Sequence, residues 1–333
     1  MKSERIAVIG AGGWGTALSL IWANRGHSVL LWGNNASRVE EIRQRRENRV
    51  HLPGATLPPA VGLTSELKDC ADADLIVFVT PSTALRQVAE RLRPFVGKSN
   101  AVLLSCVKGI EHGTGKRMSE ILAGIYPDQA VAVLSGPNLA IEVSRELPTA
   151  TVLACTDLAR ATDLQRCLGT PRFRIYTGEE LPGIELGGAL KNVFAIAAGA
   201  GDGLGLGDNS KAALVTRSLA EMIRLGTKMG ADARTFHGLS GAGDLVATCF
   251  SQLSRNRRVG EQLGQGRSLD EITSSMQTVA EGIPTSRSAY ECARKLNVDT
   301  PVIDEVYALV HKAKPAVRAM EDLLARDQKA ERG

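Results

Sequence analysis

Within its first 32 residues the chain runs an apolar segment, residues 5–9, into Gly10-Ala11-Gly12-Gly13-Trp14-Gly15, then into an uncharged helical pattern over 14–24. Arg25-Gly26-His27 turns that helix back into a second apolar segment at 28–32, which completes a βαβ unit. In such a unit Gly10 permits the tight turn, Gly12 lets backbone approach a pyrophosphate, and Gly15 lets the helix pack on the strand. The phosphates then sit at the helix N-terminus. Without its flanking strand and helix the hexapeptide would be no more than a glycine-rich turn; within them it predicts dinucleotide binding. The absence of charge from Ile6 to Asn24, behind Lys2 and Arg5, superficially resembles a signal peptide, but the glycines interrupt the run where an apolar core should be continuous. No other stretch is long enough to span a membrane, so none is expected to.

Further strands are expected at 75–79, 101–106, 131–134 and 151–154, alternating with helical patterns or glycine and proline turns. That alternation implies an α/β fold: an N-terminal Rossmann-type, doubly wound, mostly parallel sheet over residues 1–184. Beyond it, helical patterns at 185–199, 211–230, 257–263, 285–295 and 302–311 predict an all-α C-terminal domain over 185–333, with a frayed tail from 326. A length of 333 residues suits two domains. Six cysteines without a CxxC pair, and five histidines without HExxH, predict free thiols in a reducing cytoplasm and no metal site. The net charge of +4 is interleaved with acids, which favours a small anionic ligand over nucleic acid. The 34 glycines and few aromatics point to backbone turns held close to something.

Three blocks carry candidate chemistry. About 20 residues past the glycines an NAD-selective site places an acid on the ribose, whereas this chain has Asn34-Asn35, with Arg38 close behind. NADP(H) is the expected cofactor; alternatively Asn34 caps a turn and NAD(H) binds as well. Lys191-Asn192, after Gly187-Gly188, precedes an apolar alanine-rich segment, an expensive place for charge without a task unless the lysine snorkels to solvent. Asp244 and Thr248 share a face if a helix begins at Asp244, and Ser254-Arg255-Asn256 after them suits either an anion cradle or a solvated basic turn.

With these blocks in order, and with Val107-Lys108-Gly109-Ile110, Ser135-Gly136-Pro137, Leu147-Pro148-Thr149-Ala150 and Val279-Ala280-Glu281-Gly282 between and after them, nearly the whole sequence closely resembles the bacterial NAD(P)-dependent glycerol-3-phosphate dehydrogenases. The resemblance implies reversible, NAD(P)H-dependent reduction of dihydroxyacetone phosphate to sn-glycerol 3-phosphate, the backbone of phospholipids, by a cytoplasmic enzyme that could form a homodimer. It implies Lys191 as proton donor and acceptor. Lys108, Gly136, Asn138, Asp244, Ser254, Arg255 and Asn256 would contact the substrate. Gly13, Trp14, Asn34, Lys108, Ala140, Arg255, Val279 and Glu281 would contact the cofactor, beside Gly10, Gly12 and Gly15. Three positions depart from the family pattern: Gly13 and Asn138 stand where serine is usual, and Asn34 where a basic residue or histidine is common. Hydroxyacyl-CoA and ketopantoate dehydrogenases share this domain plan, and a non-catalytic NADP sensor could use the same fold. Ketopantoate reductases also pair a lysine with an asparagine but lack the Gly-Asp-Leu and Ser-Arg-Asn-Arg-Arg blocks, and a sensor's cleft would not need Lys108, Lys191 and Asp244 together.

Overall fold

The structure, a computed structural model, describes residues 3–97, 100–276, 278–328 and 330–331. Among the described residues eight strands form one sheet: β1 (Arg5–Ile9), β2 (Ser28–Trp32), β3 (Val61–Thr64), β4 (Leu75–Phe78), β5 (Val102–Ser105), β6 (Val131–Ser135), β7 (Thr149–Cys155) and β8 (Phe173–Gly178). Their spatial order is β3-β2-β1-β4-β5-β6-β7-β8, and every pair is parallel except β6 and β7. Continuous apolar runs such as Leu-Ile-Val-Phe in β4, buried at every residue, are what a sheet covered on both faces requires. The covering helices are α1 (Gly13–Asn24), α2 (Ala36–Arg45), α3 (Leu85–Val96), α4 (Met118–Ile125), α5 (Ala140–Ser144) and α6 (Leu158–Leu168). Strand order reverses between β1 and β4, and in doubly wound sheets ligands bind at that crevice, beyond the carboxyl ends of the strands.

The sheet is as expected in class, with two strands unforeseen, β3 and β8, both at its edges. From α7 (Leu181–Gly203) onward all regular structure among the described residues is helical: α8 (Gly207–Lys228), α9 (Asp244–Phe250), α10 (Arg255–Gly264), α11 (Leu269–Ser274), α12 (Gly282–Lys295), α13 (Pro301–His311) and α14 (Ala316–Leu324). α7 is the spine of this part and is buried nearly throughout. A residue 184/185 division falls inside it; the last strand ends at Gly178. Where the sequence predicts the tail to begin, Arg326 pairs with Asp299 at 2.9 Å.

The glycines do more than turn the chain. A Cβ at Gly199 of α7 would lie 1.9 Å from the Arg257 carbonyl of α10, and one at Gly260 of α10 would lie 1.9 Å from the Ile196 carbonyl of α7. The two helices touch backbone to backbone, which only glycine permits, and this fixes the start of α10 against α7.

Buried Glu221 of α8 satisfies the start of α13 by accepting from the Val302 and Ile303 N–H groups at 3.0 and 2.8 Å. Burial pushes its carboxyl up to about 7, against the pull of those two N–H donors and Arg224. The unfolded group ionises near its ordinary value of about 4.5, so the folded state holds the extra proton in the window between. Its contribution to stability is complete below that window and lost as pH rises through 7. Relative to Glu221→Gln, the wild type should therefore lose urea resistance between pH 5 and pH 8; parallel urea midpoints at the two pH values would refute this.

Candidate active site

The glycine turn closes on the end of β1. Gly10 has φ +133°, and a Cβ there would lie 2.7 Å from the Val79 carbonyl; at Gly15 it would lie 2.0 Å from the Gly10 carbonyl. A Cβ at Gly12, by contrast, meets nothing within 4 Å, and no side chain caps the N-terminus of α1. The helix thus presents free N–H donors beside open space, the arrangement that accepts a pyrophosphate. At Gly13 a Cβ would lie 2.7 Å from the His51 carbonyl and 3.8 Å from Ala140 Cβ, so the 51-loop fills the place a serine side chain would need. Trp14 turns its ring toward Phe173, centroids 6.1 Å apart, within the sheet's core.

Asn34 is exposed just past β2, and Arg91 of α3 donates to its Oδ1 at 3.4 Å. Asn35 is committed to capping α2, its Oδ1 accepting from the Arg38 N–H at 3.0 Å. Val279 is exposed, whereas Glu281 is clasped by Ser82, accepting from its N–H at 3.1 Å and its hydroxyl at 2.5 Å. That clasp joins the turn after β4 to the helical part of the chain. Burial raises the Glu281 carboxyl above its usual range, while Ser82 and Arg255 oppose the rise.

Beside this crevice the structure gathers Lys108, Lys191 and Asp244, residues far apart in sequence. Asp244 Oδ1 lies 3.0 Å from Lys191 Nζ, and Asp244 Oδ2 accepts from Lys108 Nζ at 2.6 Å. Lys108 also donates to the Gly136 carbonyl at 2.8 Å, and Lys191 donates to Thr248 Oγ1 at 2.7 Å. Asp244 is 2% exposed and Lys191 8%, so the aspartate is the counter-ion that makes two buried or half-buried ammonium groups tolerable. Two of the three N–H donors of each ammonium are engaged, and one remains for a ligand. A π-helical turn, Leu239–Gly243, delivers Asp244 to the head of α9. α7 closes on that turn because Gly187 has no side chain: a Cβ would lie 2.6 Å from the Ser240 carbonyl.

The sequence leaves open the direction in which Lys191 titrates, because Lys108 and Asp244 act oppositely. Burial decides it: the ammonium is pushed down to about 8, with Asp244 raising it and Lys108 lowering it in smaller measure.

Ser254, Arg255 and Asn256 open α10 next to α7. Ser254 is the N-cap, accepting from the Arg257 N–H at 3.2 Å. Asn256 donates to Asn192 Oδ1 at 2.8 Å and accepts from the Gly282 N–H at 2.9 Å, which leaves one amide hydrogen for a ligand. Arg255 is exposed, and its charge acts on both His51 and Glu281. Asn138 donates to Thr151 Oγ1 at 3.0 Å, and its buried Oδ1 has no partner. Ser82 and His51 are site neighbours that sequence reasoning missed. Ser82 had a signal, since Thr80-Pro81-Ser82 follows the end of β4 beside the crevice; His51, in a loop without periodicity, had none.

Two family models match this chain, the N-terminal part of the NAD-dependent glycerol-3-phosphate dehydrogenases over residues 5–161 and the C-terminal part over 180–321. The chain belongs to that family. A relative from Geobacter sulfurreducens, glycerol-3-phosphate dehydrogenase [NAD(P)+], is 49% identical and aligned over 99% of both chains. The crystal structure of the glycerol-3-phosphate dehydrogenase of Coxiella burnetii superposes with a TM-score of 0.94 at 36% identity, covering 97% of this chain and 99% of that one. A ketopantoate reductase from Ralstonia eutropha reaches 0.62 at 16% identity, covering 95% and 99%, and so shares the fold. Among the described residues no helix is long and apolar enough to cross a membrane, and no cluster of His, Cys, Asp and Glu could hold a metal ion.

Proposed function

We propose that this enzyme reduces dihydroxyacetone phosphate to sn-glycerol 3-phosphate with NADPH or NADH, reversibly, in the cytoplasm, and so supplies the backbone of phospholipids. The observation that carries the reading is the Lys108–Asp244–Lys191 cluster beside a glycine turn, in a chain of this family. Six free cysteines support the compartment. The dinucleotide would lie on Gly10, Gly12, Gly13, Trp14 and Gly15, with Asn34, Lys108, Ala140, Arg255, Val279 and Glu281 along its length. The open space over Gly12 and the uncapped start of α1 fit a pyrophosphate; Trp14, whose ring is spent on Phe173, would contribute its backbone. Bound there, the reduced nicotinamide supplies the hydride.

The chain's own residues supply the proton and the grip. Lys191, protonated at neutral pH yet with its pKa near 8, can give a proton to the oxygen of the reacting carbon and take it back in reverse. Asp244 and Thr248 hold its Nζ in place, and Lys108 adds positive charge where the oxygen gains negative charge. Gly136 positions Lys108 through its carbonyl. Ser254, Arg255, Asn256 and Asn138 would hold the phosphate end and the hydroxyl, placing the ketone with binding energy remote from the reacting carbon. We place the division between the nucleotide-binding and substrate-binding parts between Gly178 and Leu181.

Mixing the protein with NADPH and dihydroxyacetone phosphate should consume nicotinamide absorbance in step with glycerol phosphate formed; no turnover with either cofactor would refute the function. A charge-assisted hydrogen bond is worth about 1.5–3 kcal/mol, so Arg255→Ala should raise KM for dihydroxyacetone phosphate about 10- to 100-fold. An unchanged KM would leave the Ser254-Arg255-Asn256 turn as a solvated loop.

A further inference from the structure

In this fold the residue just past β2 meets the adenosine ribose, and a cation there accommodates a 2′-phosphate. Asn34 holds that place and carries no charge. The cation arrives from elsewhere: Arg91, exposed in the middle of α3 and 57 residues along the chain, donates to Asn34 Oδ1. A second exposed arginine, Arg38, stands in the first turn of α2, four residues after Asn34. Its guanidinium donates to His51 Nε2 at 3.0 Å, and the His51 carbonyl faces Gly13, which ties Arg38 to the glycine turn.

Among the described residues neither Arg38 nor Arg91 has a carboxylate within 4.0 Å, although both helices carry acids. Glu40 pairs with Arg43 and Glu41 with Arg45 on α2, and Glu90 pairs with Arg86 on α3. The first turn of α2 has no acid either, so its dipole adds to the positive field. We infer that Arg91 and Arg38, from two different helices, form this chain's clamp for the 2′-phosphate of NADP(H), with Asn34 holding Arg91 in place. The inference rests on the dinucleotide reading above and names the specificity-determining residues within it. A guanidinium fork suits phosphate, and two forks from different helices would select for it over the ribose hydroxyl of NAD(H).

The test is equilibrium binding by calorimetry of NADPH, NADH, adenosine 2′,5′-bisphosphate and 5′-AMP to wild type, Arg91→Ala and Arg38→Ala. Wild type should bind the bisphosphate more tightly than 5′-AMP. Arg91→Ala should lower affinity for NADPH and for the bisphosphate at least tenfold and reduce the NADPH-to-NADH affinity ratio by a similar factor. Arg38→Ala should lower that ratio too, with some general loss through His51. An unchanged ratio in Arg91→Ala, whether both affinities fall together or neither does, would overturn the clamp while leaving the dinucleotide site standing. Wild-type protein that bound neither dinucleotide would overturn both readings. Arg91 is exposed, so its replacement does not disturb the core.

Discussion

Lys191→Met should cost at least about 100-fold in kcat, the usual share of general acid catalysis, while the protein stays folded and still binds NADPH. The side chain is nearly isosteric to the carbon stem, and the nucleotide contacts lie mainly around the glycine turn. Removing the ammonium leaves Asp244 paired with Lys108 alone, so the buried carboxylate keeps one counter-ion at 2.6 Å. Lys191→Arg should restore little, because a guanidinium with a pKa above about 12 surrenders no proton near neutrality. Stopped-flow measurement of nicotinamide oxidation, with binding followed separately, distinguishes lost chemistry from lost affinity. Near-normal kcat in Lys191→Met would move the donor to Lys108 or water.

Gly12→Val should abolish dinucleotide binding without unfolding the chain, whereas Gly15→Val should disrupt the fold itself. The difference lies in what a side chain meets. At Gly12 there is no protein atom within 4 Å, only the space assigned to the pyrophosphate; at Gly15 the Gly10 carbonyl lies 2.0 Å away. Calorimetric titration with NADPH and thermal melting of both variants separate the two effects. Undiminished affinity in Gly12→Val would place the pyrophosphate elsewhere.

β1 and β2 were readable to the residue because each is a mostly buried apolar run that ends at a glycine. β3 and β8 escaped for opposite reasons. β3 has only four residues, with Gly62 inside it, and follows a proline-rich loop that masks its start. β8 alternates, with Phe173 and Ile175 buried and Arg174 and Tyr176 exposed, a pattern suited to an edge rather than to the buried parallel strands expected. The glycine content was assigned to turns; Gly199 and Gly260 show that part of it serves helix contact, which composition cannot distinguish. In the site, Lys191, Asp244 and Thr248 were legible because each sits at a charged or polar position in an otherwise apolar helical pattern. The Glu281–Ser82 clasp and the Arg91–Asn34 contact were not, since nothing in the local sequence of either partner records the other.

A buried lysine poised near neutrality carries the chemistry proposed here, and the pH dependence of kcat/KM for the reduction tests that most directly. With Lys191 at about 8, the proton-donating form dominates below that pH. At saturating cofactor, kcat/KM for the ketone should be level near pH 7 and fall about tenfold per pH unit above a break near 8. The reverse reaction should rise through the same region. A reduction rate that stayed flat to pH 10 would contradict the assignment of Lys191 as the proton donor.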